Sequence, residues 1–305
     1  MGGIRAKMER RQTVGHLAAV ITVLIWGTTY ISTKVLLQDF QPVEILFSRF
    51  VIGFLALLVV NPRRLKLAEK KQEGLFALAG LCGVCLYSLL ENIALSYTMA
   101  SNVGVIISTA PFFTAIMTHL LMKQEEKLKV NFFAGFLIAM IGICLISFNG
   151  ASLELNPIGD LLALLATFVW GCYSVLTKKI GGYGYNTIQM TRKIFGYGLL
   201  FILPAMLLFD VEWNLQKFAE PVYIFNFLFL GLGASALCFV TWNYAVKLLG
   251  AVKTSVYIYL EPVITVVTSV LVLHETVTPI AVAGTVLTMA GLIVSEMKFG
   301  KGKRA

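Results

Sequence analysis

The sequence predicts an all-α integral membrane protein whose ten transmembrane helices form two inverted five-helix repeats. Three observations lead there. The 305 residues are 58% hydrophobic and 13% charged, with a mean hydropathy of +0.81. Soluble domains carry about 25% charged residues to keep a wetted surface. The apolar residues also gather into helix-length runs separated by short polar joints. Finally, Val23–Lys34, VLIWGTTYISTK, returns 144 positions later as Phe168–Lys178, FVWGCYSVLTK. Trp26 matches Trp170, Gly27 matches Gly171, and Thr33-Lys34 matches Thr177-Lys178.

A span needs about 17–25 mainly apolar residues to cross roughly 30 Å of hydrocarbon. Ten such runs are present, at 16–37, 43–60, 74–96, 102–122, 130–148, 159–177, 187–209, 221–245, 253–273 and 279–297. Turn and interface residues mark their ends: Asp39 to Pro42, Asn61-Pro62, Asn156-Pro157, Glu220-Pro221 and Thr278-Pro279. The first run follows a basic N-terminus, yet it is too long for a signal peptide and has no small-residue cleavage site. It reads as a retained span.

Lysine and arginine set the orientation. Arg10 and Arg11, then Arg63 to Lys71, then Lys123, Lys127 and Lys129 fall on one side, joined by Lys178, Lys179, Lys247, Lys253 and the C-terminal cluster. The other side holds Lys217 and little else. Both termini are therefore expected in the cytoplasm, with the protein multi-pass in the plasma membrane.

The repeat runs through each half. Gly80, Asn92, Ala94, Ala100 and Pro111 match Gly231, Asn243, Ala245, Ala251 and Pro262 at a constant offset of 151. Arg49 and Gly53 match Arg192 and Gly196, while Gly135 and Gly142 match Gly284 and Gly291. Residues 1–150 and 151–305 are the two units. Five spans are an odd number, so the second unit enters the membrane from the opposite face. Inverted repeats of this kind serve alternating access in secondary carriers.

Ten spans in two halves, Trp-Gly in the first span of each, and the paired runs ASNVGVIISTAPFFTAIM and GAVKTSVYIYLEPVITVV together resemble the drug/metabolite transporter superfamily, in its EamA branch. The resemblance covers roughly residues 15–297. It implies a secondary carrier with a central cavity walled by the first four spans of each half, exporting amino acids or other small metabolites. One departure stands out. The first-half counterpart of Leu260-Glu261-Pro262 is Thr109-Ala110-Pro111, so only one half carries the carboxylate.

Charge within a span costs at least about 2.5–3.5 kcal/mol on insertion scales, so it persists where it meets a cavity or water. Glu261 lies about 12 Å into the ninth span, too deep to reach water by itself, and Pro262 beside it withholds a backbone donor. It can hold a proton, a cation or a substrate amine, or serve as a hydrogen-bonding strut. Arg49 and Lys34 stand on the side poor in positive charge. They can receive a substrate carboxylate or phosphate, or extend to lipid headgroups. Glu91 can pair with either as a neutralising partner. Mid-span Trp26 and Trp170 sit away from the interfaces where aromatic belts lie, so they pack against other helices or wall a cavity. Asn92 and Asn243 add polar lining. Small residues around Gly135–Gly142 and Gly284–Gly291 make packing surfaces between halves or between protomers, consistent with a monomer or homodimer.

Other chemistry finds little support. Cys82 and Cys85 form a lone CxxC inside an apolar run and read as packing residues. His16, His119 and His274 lack metal-ligand spacing. The net charge of +9 is spread between apolar runs, with no nucleic-acid motif, and no Walker A sequence is present. The expectation is a carrier without cofactor or metal, not an enzyme. Its partners are a small solute, the lipid bilayer and a coupling proton. Proton-coupled efflux of hydrophobic cations is the alternative in transport. An intramembrane transferase is the alternative outside it, disfavoured by the lack of a His, Asp or Ser constellation in any sizeable loop.

Overall fold

The structure, a computed structural model, describes residues 2–98, 100–122, 130–147, 156–209, 211, 216–273 and 278–296. Helices make up all its regular elements among these residues. In chain order they are α1 (Gly2–Leu36), α2 (Pro42–Val60), α3 (Gln72–Tyr97), α4 (Ala100–Ile107), α5 (Ala110–Leu121), α6 (Val130–Ser147), α7 (Pro157–Gly181), α8 (Thr187–Leu208), α9 (Pro221–Leu249), α10 (Ala251–Ser255), α11 (Glu261–Leu273) and α12 (Pro279–Glu296). Six of these, α1, α2, α3, α7, α8 and α9, are long and apolar enough to cross a membrane, and α5, α6 and α12 are shorter apolar helices. His274, Lys123, Lys127, Lys129 and the C-terminal lysines of the charge pattern lie outside the described residues.

The helices begin where local chemistry supplies partners for their orphan N–H groups. Pro42 opens α2, and the Gln41 N–H donates to Glu44 Oε2 at 2.6 Å. Asn156 and Asn186 cap α7 and α8, their Oδ1 atoms accepting from Ile158, Gly159, Ile188 and Gln189 at 3.0–3.3 Å. Gly250, at φ +94°, turns the chain from α9 into α10, in a region that favours glycine.

The fourth and ninth runs of the sequence are each interrupted. In an unbroken helix, residue 111 would donate to the carbonyl of Ile107 and residue 262 to that of Ile258. Proline cannot donate, and its ring collides with that carbonyl. Accordingly α4 stops at Ile107 before α5 resumes at Ala110, and a 3-10 turn, Val256–Leu260, precedes α11. The break therefore falls just ahead of Pro111 and Pro262 alike.

A second irregularity is not announced by any proline. Within α3, Gly80–Leu86 is π-helical, and within α9 so is Phe229–Leu237. The two segments overlap at the 151-residue offset. Each contains a close crossing: a Cβ at Gly80 would lie 2.7 Å from the Ile194 carbonyl of α8, and one at Gly231 would lie 2.5 Å from Ile52 of α2.

The surface is inverted relative to a soluble protein. Val59, Leu207 and Leu208 are 81–82% exposed, whereas Glu261, Arg49 and Glu91 are 3%, 5% and 8% exposed. Apolar side chains outside and charge inside is the arrangement hydrocarbon solvent demands. α6 and α12 pack against each other through small residues: Gly135 meets Gly291 and Ser295, and Gly142 meets Gly284 and Thr288. The predicted small-residue faces thus join within one chain.

Candidate functional site

The two Trp-Gly copies meet near the centre of the bundle. The rings of Trp26 and Trp170 stand edge to face, centroids 5.2 Å apart, and Trp242 lies 5.1 Å from the first and 5.8 Å from the second. Phe239 and Tyr87 extend the aromatic cluster. The glycines bring neighbouring helices close. A Cβ at Gly27 would sit 2.7 Å from Ile264 of α11, and one at Gly171 would sit 3.0 Å from the Phe113 backbone of α5. Each first helix of a half therefore rests on the broken helix of the other half.

That crossing fixes Glu261. The Thr265 hydroxyl donates to the Gly27 carbonyl at 2.9 Å, and the Tyr30 hydroxyl donates to Glu261 Oε2 at 3.1 Å. From α3, Tyr87 donates to Glu91 Oε1 at 3.2 Å. From α2, Arg49 Nε donates to Ser235 Oγ at 3.0 Å, with its guanidinium 5.3 Å from the Phe50 ring centroid. The Trp26 indole donates to the Ala234 carbonyl at 3.0 Å, inside the π-helical segment. The Trp170 indole N–H has no partner among the described residues.

These groups wall one cavity of about 20 Å³, room for about one water. Its walls comprise Trp26, Thr29 and Tyr30 from α1, Arg49 from α2, and Tyr87, Ser88 and Glu91 from α3. Trp170, Phe239 and Glu261 complete it from α7, α9 and α11. A metabolite therefore needs the walls to part.

Of the residues singled out in the sequence, Trp26, Arg49, Trp170 and Glu261 converge here. Asn92, Asn243 and Lys34 do not reach the cavity wall. Asn92 Nδ2 donates to the Pro42 carbonyl at 3.0 Å, tying α3 to the start of α2. Asn243 bridges Tyr173 and Thr191, tying α9 to the start of α8. Lys34 Nζ donates to the Thr98 carbonyl at 2.8 Å, at the end of α3.

Glu91 shares the cavity wall with Arg49 but makes no contact ion pair with it. Lys34 is engaged elsewhere, and no carboxylate of the described residues lies within 4.0 Å of the Arg49 guanidinium. Glu91 instead takes its hydrogen bond from Tyr87, one turn earlier on the same helix. Arg192, the repeat partner of Arg49, serves a loop: it donates to the carbonyls of Asn61 and Arg63, while Lys193 pairs with Glu73 at 2.6 Å. Among the described residues no cluster of His, Cys, Asp and Glu could hold a metal.

A model of the EamA-like transporter family matches the chain twice, over residues 13–148 and 157–297. The chain belongs to the EamA-like transporter family. It is a multi-pass membrane protein and a transporter, not an enzyme. It is 29% identical over 296 residues to an uncharacterized transporter of Archaeoglobus fulgidus, covering 93% of this chain and 97% of that one. It is 25% identical over 293 residues to a probable terminal-alkyne amino-acid exporter of Streptantibioticus cattleyicolor, covering 94% and 95%. A crystal structure shares the fold with a TM-score of 0.75 at 18% identity, covering 93% of this chain and 98% of that one.

Proposed function

We propose that this transporter is a secondary carrier exporting small polar metabolites, amino acids or their derivatives, by alternating access through the central cavity. The observation that carries the reading is the convergence of Arg49, Glu91 and Glu261, all buried, on one cavity between the two halves. Three ionisable groups out of water are costly, and a carrier of charged solutes gives them a use. A zwitterion has an ammonium for Glu261 and a carboxylate for the guanidinium fork of Arg49. The relative named as an amino-acid exporter supports the same solute class.

Residues 1–150 and 151–305 act as the two inverted five-helix repeats. Support comes from the double family match, the paired breaks before Pro111 and Pro262, and the reciprocal contacts of Gly135 with Gly291 and Gly142 with Gly284. Both termini face the cytoplasm, and the lysine-rich side is the entry side for export. Lys34 belongs to the outer vestibule, while Asn92 and Asn243 hold the helix starts that shape the cavity. Purified protein in liposomes should show saturable counterflow of members of an amino-acid and amine panel, tested with and without a pH gradient. Absence of flux for every solute, from a folded and monodisperse preparation, overturns the carrier reading.

A further inference from the structure

The charges around the cavity do not balance. Arg49 contributes one positive charge, and Glu91 and Glu261 contribute two negative ones when both are ionised; no other charged side chain lines the wall. The remaining titratable neighbours are Tyr30 from α1, Tyr87 from α3 and Cys238 from α9, all neutral in their ordinary protonated forms. α7 brings only Trp170. The two carboxylates are themselves less than one-tenth exposed, where an uncompensated charge is strongly disfavoured.

Two further observations point to a ligand. Beyond the Arg49 Nε bond to Ser235, the rest of the guanidinium has no hydrogen-bond partner among the described residues. Arg49 as a residue is 5% exposed, and it lines the cavity wall. The Trp170 indole N–H on that wall has no partner among the described residues either. Donors are thus unused next to carboxylates in excess.

We propose that the Glu91 and Glu261 pair holds one exchangeable proton, which a solute carrying a surplus positive charge displaces and a zwitterion does not. The claim rests on the cavity being the solute path. With the solute absent, one guanidinium, one carboxylate and one carboxylic acid sum to zero. A zwitterion adds nothing, its carboxylate on Arg49 and its ammonium by the glutamates, and the proton stays. A monocation adds one charge. The carboxylic O–H then gives its proton to water in the open vestibule, and the cation becomes the carboxylate's counter-charge. Cationic solutes are therefore exchanged one for one with protons, while zwitterions cross without proton exchange.

The test uses two solute pairs that keep size and differ in charge, arginine against citrulline and choline against glycine betaine. Arginine's guanidinium stays protonated and its α-amino and α-carboxyl groups are shared with citrulline, so they cancel within the pair, while choline has no group that titrates near neutral pH. Full-length protein in liposomes with a trapped pH indicator gives protons moved per labelled solute. Proton release on binding in detergent, read by calorimetry in two buffers of different ionisation enthalpy, gives the same count without transport. The expectation is about one proton for arginine or choline and about zero for citrulline or betaine. Glu261→Gln and Glu91→Gln each remove one negative charge and should each bring the cation count to about zero; if one fails to fold, the other carries the test. Equal counts for the two members of a pair overturn the proton assignment while leaving the carrier reading intact. Neither flux nor binding of any panel solute overturns both.

Discussion

The crossing of α1 over α11 can be loaded with a single methyl group. In Gly27→Ala the new Cβ would lie 2.7 Å from both Cβ and Cγ2 of Ile264 and 3.2 Å from the Glu261 carbonyl oxygen. Ordinary carbon contacts are about 3.5–4.0 Å, so the helices must separate by several tenths of an ångström or Ile264 must leave its rotamer. Overpacking of this kind costs about 1–3 kcal/mol. Replacing a helical glycine returns about 0.5–1 kcal/mol of propensity, leaving a net loss centred on about 1 kcal/mol. Gly74→Ala is the internal control. It stands in the same kind of helix with nothing within 4 Å of the added Cβ, so only the propensity gain applies. Thermal unfolding in detergent, followed by loss of the monodisperse peak, should place Gly27→Ala below wild type and Gly74→Ala at or above it. Gly27→Ala should also impair transport, because the crossing it widens seats Glu261. Equal stability of the two variants would refute the close approach.

Trp26→Phe should lower stability by about 1 kcal/mol through loss of the bond to the Ala234 carbonyl, and Trp170→Phe by less, because its N–H has no partner among the described residues; paired melting curves check the order. Tyr30→Phe should weaken solute affinity by about tenfold or more, since a hydrogen bond to a carboxylate is worth about 1.5–3 kcal/mol and the hydroxyl positions Glu261; titration of binding with the wild type alongside measures it. Gly142→Leu should disrupt the α6–α12 pair, because even a Cβ there would stand 2.6 Å from the Gly284 carbonyl; a monodisperse, fully stable variant would contradict that packing.

Helix starts were legible because they rest on residue types with strong local demands. Pro42, Asn156-Pro157 and Glu220-Pro221 supply caps or forgo a donor, and the helices begin there. The interruption ahead of Pro262 was legible for the same reason. The π-helical segments were not. Nothing in GLCGVCL or FLGLGASAL forbids an ordinary α-helix, and the close crossings with α8 and α2 at Gly80 and Gly231 involve residues distant in the chain. One position along a helix is a rotation of about 100°, which separates Glu91, facing the cavity with Tyr87 and Ser88, from Asn92, facing α2. Glu91 faces the same cavity as Arg49 without an ion-pair contact, because charge sign alone does not supply contact geometry. Glu261 was legible from depth alone, since a short carboxylate there had to face something other than lipid.

The most direct test of the account compares counterflow by the wild type, Arg49→Ala and Glu261→Gln in matched liposomes. If the cavity between the halves is the solute path, the wild type gives saturable flux and both variants lose at least tenfold in flux at subsaturating solute, with folding intact. Undiminished flux in both variants would show that the solute passes elsewhere.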